Sequence, residues 1–165
     1  MIAIPAVALY QVVLAIHIMA VVLAFGVIFA YPIMFAVGAR QDPRSLPLLH
    51  RIEYTIERLL INPALTVVLL AGIYLASKLH QWSAFYVQWG FGVVVVIGAV
   101  VGAVMIPTAK RAEATAERDL AASTEDQAEL SKQYMALIRR LTIFGSLLSA
   151  LVLITIYFMA TRTGA

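Results

Sequence analysis

Four stretches of this chain run without a charged residue for about 20 positions each, the length of helix that crosses the hydrocarbon core of a bilayer. They cover residues 6–30, 59–77, 84–106 and 141–161. A soluble helical bundle would place polar residues at helical spacing along each segment, whereas these runs are apolar all round. Composition points the same way. The chain is 62% apolar and 13% charged, with a mean hydropathy of +0.92, against about 45–50% apolar and about 25% charged in ordinary soluble domains. The expected fold is all-α: a polytopic membrane protein whose four transmembrane helices form one bundle and a single domain over residues 1–165, with helical cytoplasmic extensions.

Twelve Lys and Arg stand against nine Asp and Glu, an excess too small to suggest a nucleic-acid partner when the charges flank a bilayer. The absence of cysteine excludes disulfides, thiolate metal sites and cysteine-based redox chemistry. No basic segment precedes the first apolar run and no small-residue cleavage pattern follows it, so a cleaved signal peptide is not expected. Ten of the 12 basic residues lie in the first and third connections: Arg40, Arg44, Arg51 and Arg58, then Lys110, Arg111, Arg118, Lys132, Arg139 and Arg140. The positive-inside rule puts these connections in the cytoplasm, with both termini and the turn around His80 outside a bacterial plasma (inner) membrane. Trp82, Tyr86 and Trp89 fall where an outer aromatic belt would sit.

The long connections read as helix rather than loop. After Asp42 and Pro43, Ser45 is placed to cap a helix starting near Leu46, with Pro47 in its first turn and Leu49, Ile52, Ile56 and Leu59 at three- and four-residue spacing. From Lys110 to Ala122 the chain is rich in strong helix formers. A turn is expected at Ser123, followed by a capping box from Thr124 to Gln127 that starts the last helix. Helices two, three and four would then outrun the bilayer by roughly 20 Å. Close helix contacts are expected at Gly98 and Gly102, at Gly145 and Ser149, and at Ala20 and Ala24, serving either packing within one chain or association between copies. Pro32, Pro63 and Pro107 lie near span ends, where a kink is tolerated.

Two constellations are candidates for chemistry. His17 is the one readily ionisable group deep in a span, and Tyr10, His17, Ala24 and Tyr31 share a face at seven-residue spacing. Its imidazole is open to three readings: a neutral ring hydrogen-bonded to Thr66 or Ser149, a haem or metal ligand, and a proton relay. His50 and His80 lie at the wrong depths to complete a bis-histidine haem, so a second axial ligand would come from another copy's His17 or be absent. The second constellation is a speculative metal set, His50, Glu53 and Glu57 on one helix with Glu113 and Glu117 on another at a comparable height. The bland alternative is a solvated head in which Arg51, Arg58, Lys110, Arg111 and Arg118 pair with those acids. No phosphate loop, zinc-protease motif or nucleophile elbow is present, so no catalytic residue is assigned. Gln11, Asn62, Thr66, Tyr74, Ser146, Ser149 and Thr155 are enough to line a narrow polar path.

The segments "AIHIMAVVLAFGVIFAYP", "INPALTVVLLAGIYLA", "QWSAFYVQWGFG" and "MIPTAKR" together resemble a family of small bacterial integral membrane proteins grouped as domain of unknown function 2269. That resemblance implies a four-helix inner-membrane protein and no particular activity. More distantly, the position of His17 is similar to the early histidine of copper-resistance D proteins and of the membrane protoporphyrinogen oxidase, which implies haem b as a cofactor. The third span lacks the lysine of that enzyme's pattern. The leading expectation is a non-enzymatic oligomeric or accessory subunit, in contact with lipid and with copies of itself or other membrane subunits. A haem-binding or redox protein using His17 is the alternative, and a small transporter or channel is the third reading.

Overall fold

The computed structural model describes residues 6–123 and 130–164, and among these it contains only helices and turns. Four helices are long and apolar enough to cross a membrane: α1 (Ala8–Gln41), α2 (Pro43–Lys78), α3 (Phe85–Ala122) and α4 (Lys132–Thr161). They form a four-helix membrane bundle. α1 and α2 pack along each other, as do α3 and α4, and the two pairs meet chiefly where Leu46–Ile56 lies against Ile106–Ala122.

The expected extensions are present in helix two, α-helical from Leu46, and in helix three, which continues unbroken past Leu120, whereas the last helix begins only at Lys132, later than the expected start at Thr124, and so extends less far. α1 differs from expectation by also running well beyond its apolar stretch, to Gln41. Pro32 permits this because it sits in the first turn of Tyr31–Gln41, where its missing N–H has no intrahelical partner to lose. The join is a tight 3₁₀ turn, Val27–Ala30. Just before it, Gly26 donates its N–H to the Val22 carbonyl at 2.8 Å, and an added Cβ there would lie 2.6 Å from that same oxygen.

The other two prolines leave a different mark. Pro63 and Pro107 follow single wide turns, Glu57–Ile61 and Val101–Met105, in which the N–H of Asn62 reaches back five residues to Glu57 and that of Ile106 to Val101. A proline ring clashes with the carbonyl four residues earlier, and widening the preceding turn relieves the clash while the helix continues.

Asp42 alone separates α1 from α2. It is extended, and its carboxylate accepts the Arg44 N–H at 3.0 Å, so Asp42 rather than Ser45 is the cap. The Ser45 hydroxyl instead turns back to donate to the Asp42 carbonyl at 2.7 Å. Gly38 lets the end of α1 lie against Leu49, because a side chain there would collide with it. At the other connection α3 ends at Ala122, as the expected turn at Ser123 requires. The Thr124–Gln127 capping box falls outside the described residues. α4 starts at Lys132, where the Ser131 hydroxyl accepts the Tyr134 N–H at 3.2 Å and Asp119 accepts the Ser131 N–H at 2.9 Å. Those bonds from Ser131, with Arg118 beside it, hold the Asp119 carboxyl below the usual range.

Two cores hold the ends. In the head, Leu46, Ala112, Ala116 and Tyr134 are buried, with Phe35, Leu49 and Leu137 packed around them, so all four helices contribute. Ala112 and Ala116 are 0% exposed, which lets α3 run close to its neighbours. At the opposite end Ala76, Ala84, Tyr86 and Val87 pack with Phe91, Phe158 and Met159. There Trp89 donates to the Thr155 hydroxyl at 3.0 Å, joining α3 to α4, and Trp82 stacks on Phe91.

Candidate functional site

His17 sits on the face of α1 that turns toward α2, together with buried Ala20, Ala24 and Tyr31. Its partner is neither Thr66 nor Ser149. Nδ1 lies 3.0 Å from the main-chain carbonyl of Val68, while the Thr66 hydroxyl donates to its own helix at Asn62. A carbonyl only accepts, so Nδ1 carries the proton and the neutral ring keeps Nε2 as its acceptor nitrogen. Among the described residues no protein group bonds Nε2. Gly72 faces the ring, and an added Cβ there would stand 3.4 Å from the imidazole Cε1, in contact with it, so that only a larger side chain would crowd the imidazole. The recognisable sequence signal was a glycine at the depth of a histidine on the neighbouring span, and side-chain reasoning passed over it.

The second constellation is partly assembled. His50 is 4% exposed, with Phe35 4.6 Å from its ring centre. Its Nε2 faces the Tyr134 hydroxyl at 3.4 Å and its Nδ1 stands 3.5 Å from Glu53 Oε2. That second contact is electrostatic, because the angles leave Nδ1 without a hydrogen bond. The buried hydroxyl of Tyr31 is likewise unbonded. Burial and the charges of Glu53 and Glu57 raise the Tyr31 phenol, and burial with Glu53 pushes Tyr134 up to about 12. Glu57, one helical turn from Glu53 and half-buried, is pushed up to about 7, by desolvation first and Glu53 second. A small cavity of about 30 Å³ beside them is lined by His50, Glu53, Glu57, Lys110 and Glu113.

Glu113 and Glu117 are paired with Arg51, which reaches them at 3.3 and 2.6 Å. Among the described residues no three His, Asp or Glu side chains converge closely enough to hold a metal ion. This junction gathers carboxylates, an imidazole and phenols around Glu57, the one among them whose carboxyl burial moves toward neutral pH. Tyr31 and Tyr134 were absent from the sequence-derived set, although Tyr31 shares the seven-residue face of His17.

The small-residue pair of α3 faces outward. A Cβ built at Gly98 or Gly102 meets nothing within 4 Å, and the same holds at Gly92. Val95 on the same side is exposed.

A family profile described as predicted integral membrane protein (DUF2269) matches residues 11–163. No curated protein and no solved structure matches the chain significantly.

Proposed function

The chain belongs to the family of predicted integral membrane proteins DUF2269, and we propose that it acts as a non-enzymatic membrane subunit, a single four-helix unit that associates with copies of itself through α3. The observation that carries this reading is the outward-facing Gly98 and Gly102. In lipid the apolar effect does not drive helices together, so close backbone approach along small residues is what holds them, and four-residue glycine spacing is its usual device. Among the described residues nothing packs against an added Cβ at either glycine. The test is the double substitution Gly98→Leu and Gly102→Leu, followed by native mass spectrometry in mild detergent. Because both positions open onto empty space, thermal stability of the monomer should hold while the dimer is lost. A wild-type protein that is monomeric throughout, or a dimer untouched by the substitutions, would overturn it.

The same proposal places the head in the cytoplasm of a bacterium and the termini outside, supported by the gathering of ten of the 12 basic residues in the two connections at the head end. A cysteine at Ser83 should label from outside intact cells and one at Ser123 should not. A second reading, a subunit carrying haem b on His17, is favoured by the Nδ1 bond to Val68, since a ligating imidazole is ordinarily held through one nitrogen while the other faces the iron. Bound haem would supply electron-transfer chemistry, and a Soret band lost in His17→Ala but not in His50→Ala is its signature.

A further inference from the structure

α4 enters the apolar stretch at Leu141, and the two and a half turns before that point carry Lys132, Arg139 and Arg140. Lys132, Ala136, Arg139 and Ile143 fall along one line of the helix at 100° per residue, with Arg140 and Phe144 forming the shoulder beside it. A groove of about 550 Å³ follows this line, its lining including Met135, Ala136 and Ile143. The small side chain of Ala136 leaves space between the flanking cations. Arg140 is held 6.0 Å above the Phe144 ring centre, one turn nearer the membrane.

No acidic partner pairs with any of these three cations among the described residues, in contrast to Arg51 and Arg118 elsewhere in the head. Below them Ile143 and Leu147 are exposed. The face therefore changes within about 15 Å from a shallow cationic surface to bare hydrocarbon-compatible surface. A water-borne anion would satisfy only the upper half. A molecule with a phosphate at one end and acyl chains at the other satisfies both.

We propose that this face of α4 is a binding site for an anionic phospholipid, its headgroup phosphate held by Lys132, Arg139 and Arg140 and its chains lying on Ile143, Phe144 and Leu147. The planar guanidinium forks of the two arginines can each present paired donors to phosphate oxygens, which a zwitterionic lipid would engage less well because its own ammonium lies beside those same cations. Basic residues at a membrane surface act additively on anionic lipid, so two arginines together should set a preference of about tenfold or more.

The test is native mass spectrometry of the full-length protein in detergent, titrated separately with phosphatidylglycerol, phosphatidylcholine and inorganic phosphate. The expected result is phosphatidylglycerol adducts at concentrations about tenfold below those needed for phosphatidylcholine, with no phosphate adduct. The exposed pair Arg139→Gln and Arg140→Gln should remove that preference, whereas Lys78→Gln at the opposite end should keep it. Equal binding of the two lipids, a preference that survives the double substitution, or a preference lost equally in Lys78→Gln would overturn the site. Saturation by inorganic phosphate alone at the same concentrations would show an ion site and overturn the lipid assignment.

Discussion

Glu57 offers the sharpest test of the polar junction, because its charge is opposed by the fold. Desolvation, and then repulsion from Glu53, move its carboxyl from an ordinary 4.5 up to about 7. A folded-state pKa above the unfolded one means that the protonated fold is favoured. The penalty is absent below the unfolded value, grows as pH rises between the two, and is complete above 7. At 1.36 kcal/mol per pH unit the shift corresponds to a ceiling of about 3.4 kcal/mol. Glu57 is only half-buried, so water screens part of this and about 1–2 kcal/mol is the figure to expect. Glu57→Gln keeps the shape and removes the charge. Its apparent unfolding temperature, followed by tryptophan fluorescence in detergent at a fixed scan rate, should exceed wild type by about 2–8 °C at pH near 8. Near pH 4 the two proteins should melt together. The groups near this carboxyl from other helices are Tyr31, Lys110 and Glu113. Glu53→Gln, by removing the repulsive partner, should leave the onset of the penalty in place but make it smaller and complete at a lower pH. A Glu57→Gln difference that is the same at both pH values, or larger in acid, would refute the reasoning.

Ala116→Leu forces extra methylenes into a position with no exposed surface, and overpacking there should cost about 1–3 kcal/mol, read as a lower unfolding temperature. Gly72→Val should push the His17 ring off the Val68 carbonyl and lower stability by about 1 kcal/mol, while Gly98→Val, at an open position, should leave the monomer's melting temperature unchanged. Asp119→Ala removes the acceptor for the Ser131 N–H. Because the folded carboxyl titrates below its ordinary range, its contribution is present above the unfolded pKa and disappears as pH falls through the folded one, so the loss in melting temperature should be evident at neutral pH and vanish in strong acid.

The four spans, the helix beginning at Leu46 and the unbroken course of helix three past Leu120 were legible in the sequence. Each follows from a requirement that acts on one helix alone: a bilayer demands about 20 apolar residues from every segment that crosses it, and propensity with capping residues decides how far that segment continues. The continuation of α1 through Pro32 was missed because a proline reads equally as a stop and as a first-turn residue. Which faces touch is a property of pairs, and here the sequence is nearly silent, since lipid tails are as apolar as the side chains of a neighbouring helix and so leave no polar-to-apolar contrast to read. Only the tertiary structure decided that His17 bonds a main-chain carbonyl beside Gly72, that Arg51 pairs with Glu113 and Glu117, that Tyr31 and Tyr134 complete the junction, and that Gly98 and Gly102 look outward. A carbonyl has no side-chain signature, and a glycine looks the same whether its open side meets a neighbouring helix or the bilayer.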